Sequence, residues 1–256
     1  MTAYHVDGIV QTQQVLSPDI RLMEIKAPEI AANAQPGQFV TVRINSLSTP
    51  LLRRPFGVAA VDRKAGTFQL MYRIVGEATE LLASLPAGAV LNVLGPLGHG
   101  FALDGVKHAL LVGGGVGLAP LHFLASALPK GSVDVVVGGR TAAELFWTDL
   151  FRDKTDKQFE TTDDGTRGVK GTVNAVVPDL VKSGKYDRVY VCGPSRMMKA
   201  VVAVVEPCKI PCQISLEKYM GCGLGACLSC SCGGLGKRLK VCKDGPVFWS
   251  QEVTEW

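Results

Sequence analysis

The cysteines of this chain are confined to its C-terminal part. Four of them, Cys222, Cys227, Cys230 and Cys242, read C-x4-C-x2-C with a fourth member further on. This is the spacing that wraps a plant-type [2Fe–2S] cluster. Two irons need four thiolates, and a short loop has to curl to deliver three of them. Gly221, Gly223 and Gly225 permit the curl and bring backbone N–H groups towards the sulfides. Cys242 is expected to return from a β-hairpin turning around Gly233–Gly236. A segment this rich in Gly and Cys and this poor in large apolar side chains can hardly build its own core. It needs a metal centre to fold around or a neighbour to pack on. A zinc knuckle and spare thiols are the alternatives, but a zinc ribbon wants two close cysteine pairs and the second is missing from the sequence pattern. Cys232 is read as a bystander, with a substitute-ligand role left open. Cys208 and Cys212 are read as core or surface thiols.

Eight cysteines without a secretory leader point to metal or redox use rather than disulfides. The start, Met1-Thr2-Ala3-Tyr4-His5, has no basic stretch followed by an apolar one. The run Ala109–Pro129 carries no charge and is long enough to span a bilayer, but Gly113–Gly117 and Pro120 interrupt it. It reads as strand, glycine turn and helix in a buried α/β core. The chain is therefore expected to be soluble and cytoplasmic. With 47% hydrophobic and 20% charged residues it is neither a disordered tail nor a charged helical rod. A net charge of +4, scattered, does not argue for a nucleic-acid groove. Aromatics are only 7%, so a bound flat ring has to rest on few rings or on backbone.

Three parts follow along the chain. Residues 1–100 carry short β-rich runs, His5–Val15, Arg21–Ala27, Phe39–Ile44, Thr67–Val75 and Val90–Leu94, with one helix over Glu77–Leu85. That pattern predicts a small closed antiparallel barrel. Residues 101–210 alternate strands (Ala109–Val112, Val133–Gly138, Arg188–Cys192) with helices (Leu118–Leu128, Val173–Val181, Ser195–Val205). Such alternation predicts a parallel-sheet α/β domain. Residues 211–256 begin with a short strand, Gln213–Leu216, and form a small cluster domain. Gly95-Pro96-Leu97-Gly98 is read as a hinge between the first two parts.

Two further motifs carry chemistry. Gly113, Gly114, Gly115 and Gly117 stand between a strand and a helix, where backbone amides can approach a pyrophosphate and a helix start favours its charge. A plain tight turn gives the same letters. Cys192, Gly193 and Pro194 end another parallel strand, and ligands of open α/β sheets bind outside such ends. The next helix carries Met197 and Met198, at least one of which is expected in the core. Arg53-Arg54-Pro55-Phe56-Gly57 is read as a loop. Beside these motifs, Arg54 is expected to bind an anion rather than merely to be solvated. Tyr72-Arg73 adds an aromatic and a second arginine.

Taken together, Arg54–Gly57, Gly113–Pro120, Cys192–Pro194 and the Cys222–Cys242 cluster resemble the ferredoxin–NADP reductase superfamily over essentially the whole chain. Thr162-Asp163-Asp164-Gly165 with Gly168 and Gly171, and Val241–Phe248, are most similar to the electron-transfer subunits of bacterial type B dihydroorotate dehydrogenases. The resemblance implies FAD in the barrel, with Arg54 at its phosphates and Pro55, Phe56 and Gly57 under the isoalloxazine. Met71, Tyr72, Arg73, Ala78 and Thr79 complete that site. The glycine turn and the Cys-Gly-Pro corner take the nicotinamide nucleotide. Asp163 and Asp164 favour NAD; Arg140 stands where NADP users of the superfamily can hold a 2′-phosphate, but NAD users carry arginine there too. Gly57 replaces the usual Ser or Thr, and Ala78 a frequent Gly. The implied activity passes electrons between NAD and a separate FMN-containing dihydroorotate dehydrogenase catalytic subunit, by way of FAD and [2Fe–2S], in pyrimidine biosynthesis. Two copies of each subunit would form a heterotetramer. No residue of this chain is assigned a catalytic role. The alternatives are a ferredoxin-reductase-type or hydrogenase-associated subunit of the same build, and a zinc-structured or redox-sensing binding protein without turnover.

Overall fold

The structure, a computed structural model, describes residues 2–44 and 50–255. Six strands close a barrel: β1 (Tyr4–Ser17), β2 (Ile20–Lys26), β3 (Phe39–Arg43), β4 (Arg54–Asp62), β5 (Thr67–Arg73) and β6 (Val90–Leu97), in the order β1-β2-β5-β4-β3-β6. All neighbours are antiparallel. The inward sides supply Val10, Met23, Ile25, Val42, Phe68 and Leu70, all fully buried. Helix α1 (Pro28–Asn33) starts on a proline, which fits a first helical turn, and buries Ile30 and Ala31. Helix α2 (Glu77–Ala83) lies between β5 and β6 in the chain and buries Leu82.

The segment expected as an arginine-proline loop is instead the start of β4. Its register pairs Arg54 with Val42, Pro55 with Thr41 and Phe56 with Val40. Proline hides this strand from sequence reasoning because it cannot donate to a ladder. Here it survives because residues 54–57 pair on one side only. The ladder to β5 begins at Val58.

The second part is a seven-stranded sheet. Its elements are β7 (Ala109–Gly114), α3 (Leu118–Ala127), β8 (Val133–Gly139), α4 (Trp147–Phe151), β9 (Lys157–Thr162), β10 (Val169–Lys170), α5 (Val177–Lys182), β11 (Arg188–Cys192), α6 (Ser195–Val205) and β12 (Cys212–Ser215). The cluster segment follows with β13 (Ser231–Gly234), β14 (Lys237–Lys240), α7 (Val241–Asp244), β15 (Val247–Trp249) and β16 (Val253–Glu255). The sheet order is β10-β9-β8-β7-β11-β12-β15, parallel except for β15. Its middle strands are covered on both faces, which is why they read as continuous apolar runs. Leu111, Val135 and Val137 pack with α3 and α4, while Leu110, Val112 and Val136 pack with α5 and α6. The uncharged run thus divides into β7, a turn and the ten-residue α3. Among the described residues no helix is long and apolar enough to cross a membrane. A three-stranded sheet, β14-β13-β16, completes the cluster lobe.

The segment read as a hinge belongs to β6 and its exit. At Gly98 (φ +71°) a Cβ would stand 2.4 Å from the Gly245 carbonyl oxygen, and the next residue, His99, donates its N–H to that oxygen at 2.6 Å. Backbone meets backbone here, so the barrel exit is fixed against the cluster lobe.

Helix α3 fastens the barrel to the sheet. Pro120 lies 3.4 Å from where a Gly57 Cβ would be, and buried His122 donates from Nδ1 to the Ala59 carbonyl at 2.9 Å. Burial holds the His122 pKa below its ordinary 6.5, outweighing the bond to Ala59. The neutral ring is therefore the form that packs. Its stabilisation is complete above the ordinary value and is lost as pH falls through the depressed one. Melting temperature should drop by a few degrees between about pH 7.5 and about pH 5. His122→Gln, which can still offer an N–H to Ala59, should show a shallower slope. Equal slopes for the two proteins would assign the acid sensitivity elsewhere.

Candidate functional site

The barrel is split on the side that faces the sheet. The β4–β5 ladder runs from Asp62 opposite Thr67 to Val58 opposite Leu70 and stops there. Beyond it Arg54–Gly57 stays with β3, and Met71–Arg73 stays with β2. The splayed strands leave two backbone edges with unpaired donors and acceptors. Between them opens a cavity of about 1190 Å³. Arg54, Pro55, Phe56, Gly57, Met71, Tyr72, Arg73, Ala78 and Thr79 all line it. The structure thus brings together every residue expected around FAD. The volume exceeds a usual small-ligand pocket and suits a dinucleotide.

The individual groups divide by what they already hold. Arg53 is occupied. It donates to the Thr41 and Asn92 carbonyls at 3.4 and 3.2 Å and lies 3.1 Å from His5 Nε2. Arg54 gives one N–H to the Leu52 carbonyl at 2.6 Å. Its remaining donors are available to a phosphate. Arg73 pairs with Asp19 at 3.0 Å. Tyr72 donates its hydroxyl to Gln13 Oε1 at 2.5 Å, and its ring tilts against Phe56 with centroids 5.6 Å apart. Burial raises the Tyr72 pKa, so the phenol stays neutral. The Thr79 hydroxyl accepts from Val75 and Gly76 N–H at 2.8 and 3.2 Å. It builds the turn before α2 and offers a ligand little. Arg54 is therefore the cation most free to grip an FAD phosphate. Arg54→Ala should raise the FAD dissociation constant by about ten- to a hundredfold, the worth of one charge-assisted contact. Flavin retention through serial dilution measures it, and full retention would return Arg54 to a solvated role.

The glycine turn crosses from β7 into α3 beside the end of β11, where Cys192 is in register with Gly113. The chain runs from β7 to β8 on one side and to β11 by a long return on the other. This is the switch point at which open α/β sheets bind ligands. The four glycines differ in purpose. Gly117 is needed for packing, since a Cβ there would lie 2.5 Å from Gly193 Cα and 2.7 Å from the Cys192 carbonyl oxygen. At Gly113 a Cβ would press on Leu118, and at Gly114 on Met197 Sδ at 3.1 Å. Gly115 alone has φ +59° and open space where its side chain would be. An anion can approach the backbone there. Met198 is core, whereas Met197 lies over Gly114. Asp163 and Asp164 sit two strands away, past β9, with their N–H groups bonded to Gly139 and Arg140 carbonyls. Cys192 also lines the barrel cavity, so the two sites share a wall.

In the cluster lobe the four thiols stand as two pairs. Cys230 and Cys242 are buried, Sγ to Sγ 3.2 Å. Cys222 and Cys227 lie further out, linked by N–H to sulfur contacts of 3.3 and 3.5 Å. Two thiolates for each of two irons is the division a [2Fe–2S] cluster requires. Among the described residues no three His, Cys, Asp or Glu side chains gather around one point for a single ion. Leu224 N–H also points at Cys222 Sγ, 3.3 Å away, and Cys242 N–H at Cys230 Sγ, 3.4 Å away. Gly223 (φ +72°), Gly225 (φ +84°) and, unusually for a branched side chain, Leu228 (φ +63°) curl the loop. Ser229, which spacing rules passed over, bonds to Gly221 N–H at 2.8 Å and lies 3.2 Å from Cys227 Sγ. Its hydroxyl and N–H pull the Cys227 pKa down to about 6. Burial works against ionisation of Cys222, but the Leu224 and Cys227 N–H groups still hold its pKa below the usual thiol value. Burial and the neighbouring Cys230 push Cys242 up to about 12. Cys232 is buried on β13 opposite Leu239, in the same core cluster as Cys230 and Cys242 but, among the described residues, without a hydrogen bond to either pair.

Three family models match: "Oxidoreductase FAD-binding domain" over residues 7–101, "Oxidoreductase NAD-binding domain" over 111–203, and "Iron-sulfur cluster binding domain of dihydroorotate dehydrogenase B" over 217–254. The chain is 40% identical to the dihydroorotate dehydrogenase B (NAD(+)) electron transfer subunit of Desulforamulus reducens, covering 96% of this chain and 97% of that one. It belongs to the family of dihydroorotate dehydrogenase B electron transfer subunits. The member from Bacillus caldolyticus is 39% identical over 95% of this chain and 96% of its own. A solved NADH-dependent reduced ferredoxin-NADP oxidoreductase superposes with a TM-score of 0.88 at 31% identity, over 97% of this chain and 90% of that one. FAD, NAD and an iron–sulfur cluster are the groups this family member binds.

Proposed function

We propose that this chain is an electron conduit, linking a dihydroorotate-oxidising catalytic subunit to NAD. The observation that carries the reading is the shared cavity. It is walled by Arg54–Gly57 of the barrel, by Cys192 at the end of β11, and by Met220, Gly221 and Ser229 of the cluster loop. A group held there borders the nucleotide corner on one side and the cysteine loop on the other. Bound FAD supplies the ability to exchange two electrons with a nicotinamide and one at a time with an iron–sulfur centre.

The residues divide the work accordingly. Arg54 would hold the FAD phosphates, and the backbone edges of residues 54–57 and 71–73 would position its ring. Gly115 and the start of α3 would receive the NAD pyrophosphate. Cys222 and Cys227 would hold one iron, Cys230 and Cys242 the other. The N–H groups aimed at those sulfurs would favour the charge carried by the reduced centre. Leu224 and Leu228 are half-exposed or more on the cluster loop and, with partly buried Met220, would face the partner. We infer that the partner carries FMN, that two copies of each subunit assemble, and that the complex serves pyrimidine biosynthesis in the cytoplasm. All eight thiols are free, which suits a reducing compartment.

Co-expression with the catalytic subunit tests this. Dihydroorotate should reduce NAD only when both chains are present, while this chain alone should oxidise NADH with an artificial acceptor. A catalytic subunit that reduces NAD equally fast without this chain would end the reading. The likeness to the ferredoxin-NADP oxidoreductase favours a second one, with ferredoxin as the partner. Fast NADH-dependent ferredoxin reduction, with none linked to dihydroorotate, would select it.

A further inference from the structure

The carboxyl end of β8 carries a cation where a dinucleotide site reads the adenosine ribose. In such sites a carboxylate accepts the 2′-hydroxyl of NAD, and an arginine accommodates the 2′-phosphate of NADP. Arg140 directly follows β8, and its side chain is exposed. Unpaired, it would read as a phosphate ligand. It is already engaged. Its Nε donates to Glu144 Oε1 at 2.6 Å, its Nη2 pairs with the same oxygen, and its backbone N–H donates to Oε2 at 2.8 Å. Glu144 is the better buried partner, and its own N–H is fixed to the Thr141 carbonyl at 3.0 Å. Arg73 of the barrel approaches the same carboxylate at 3.9 Å. Asp163 and Asp19 lie close enough to act on the Arg140 guanidinium as well.

We propose that Glu144 determines nucleotide specificity: by occupying Arg140 it takes up the cation at the end of β8 that a 2′-phosphate could use, and it confronts that phosphate with its own charge. A 2′-hydroxyl meets no such opposition. Discrimination by repulsion as well as attraction is how a site of this size can separate two ligands that differ by one group. The proposal rests on the nucleotide site placed above and adds its reader.

The test uses the FAD-loaded chain with 2′,5′-ADP and 5′-AMP as probes in titration calorimetry. Glu144→Gln should raise affinity for 2′,5′-ADP about tenfold or more, in a salt-sensitive way, and leave 5′-AMP within about twofold. NADPH oxidation should rise in step. Adding Arg140→Met to that variant should erase the gain. Arg140→Met alone should leave 2′,5′-ADP binding as it was, because the guanidinium was never available. This second variant leaves Glu144 untouched and decides the matter even if Glu144→Gln does not fold. A tenfold loss in Arg140→Met alone would show that Arg140 already grips the phosphate, and would overturn the proposal. So would an unchanged 2′,5′-ADP affinity in Glu144→Gln with 5′-AMP binding intact. If Gly115→Asn leaves 5′-AMP binding unaffected, the nucleotide site itself is misplaced, and the proposal falls with it.

Discussion

Serine at any one of Cys222, Cys227, Cys230 or Cys242 will remove most of the visible iron–sulfur absorbance, and serine at Cys232 will not. In the proposed ligand set each iron would have two thiolates, so a single loss would leave one iron with half its protein donors. The effect should be largest at the inner pair. Cys230 and Cys242 are buried and meet at 3.2 Å, and Val241 N–H closes on the Cys230 carbonyl at 3.1 Å. Removing either would take a proposed metal anchor from the lobe. Iron analysis and absorbance on anaerobically purified protein measure the result. Cys232, buried opposite Leu239, should lose only a packing contact. If Cys232→Ser stripped the iron while Cys230→Ser kept it, the ligand register would be wrong.

The second large effect separates hydride exchange from electron supply. Gly115→Asn should lower NADH oxidation by about two orders of magnitude, while FAD and cluster content stay normal. Asparagine tolerates the left-handed backbone at φ +59°, so the turn can fold. Its side chain would then project into the open space that the proposed nucleotide site leaves for the pyrophosphate. Gly114→Val is a poorer probe, because its Cβ would first displace Met197. In complex with the catalytic subunit, dihydroorotate should still bleach both cofactors of the Gly115→Asn chain, and NADH should not. Rapid-mixing spectra with each reductant distinguish the two. Wild-type bleaching by NADH would make the glycines a plain structural turn.

The legible parts of this fold were those whose side chains report one strong preference. Arg188–Cys192 and Ser195–Val205 appear as expected because an apolar run buried on both faces, then a stripe at helical spacing, leave little choice. The cysteine spacing likewise dictated the loop. The strand at Arg54–Asp62 was obscured by Arg-Arg-Pro, whose strand role depends on having one partner instead of two. Lys157–Thr162 is a strand made largely of polar residues near the sheet edge, and the sequence Lys-Gln-Phe-Glu-Thr-Thr carries no sign of it. In the site, Arg54, Tyr72 and the glycines were readable as types, but not what each already holds. That Thr79 serves its own turn, or that Glu144 occupies Arg140, depends on distances no residue pattern contains. Glu144 did leave one trace, its i,i+4 spacing from Arg140.

The path of the chain around the cysteines has a consequence for how such reductases are assembled. Residues 216–246 leave the end of β12 and return at the start of β15. Those two strands are hydrogen-bonded neighbours, with Leu216 N–H closing on the Pro246 carbonyl at 2.9 Å. The cysteine loop with β13, β14 and α7 is therefore a cassette inserted into one antiparallel hairpin, its two seams about one strand spacing apart. The barrel and six strands of the sheet, β7–β12, are completed before the cassette begins, and β16 clasps it from outside through β13. A short turn joining Ser215 to Val247 would thus keep the barrel and strands β7–β12 but open the cavity on the side that Met220, Gly221 and Ser229 wall. The cluster segment is contiguous in the chain yet shares a wall with the flavin cavity, so an exchanged cassette would have to supply residues in place of Met220, Gly221 and Ser229.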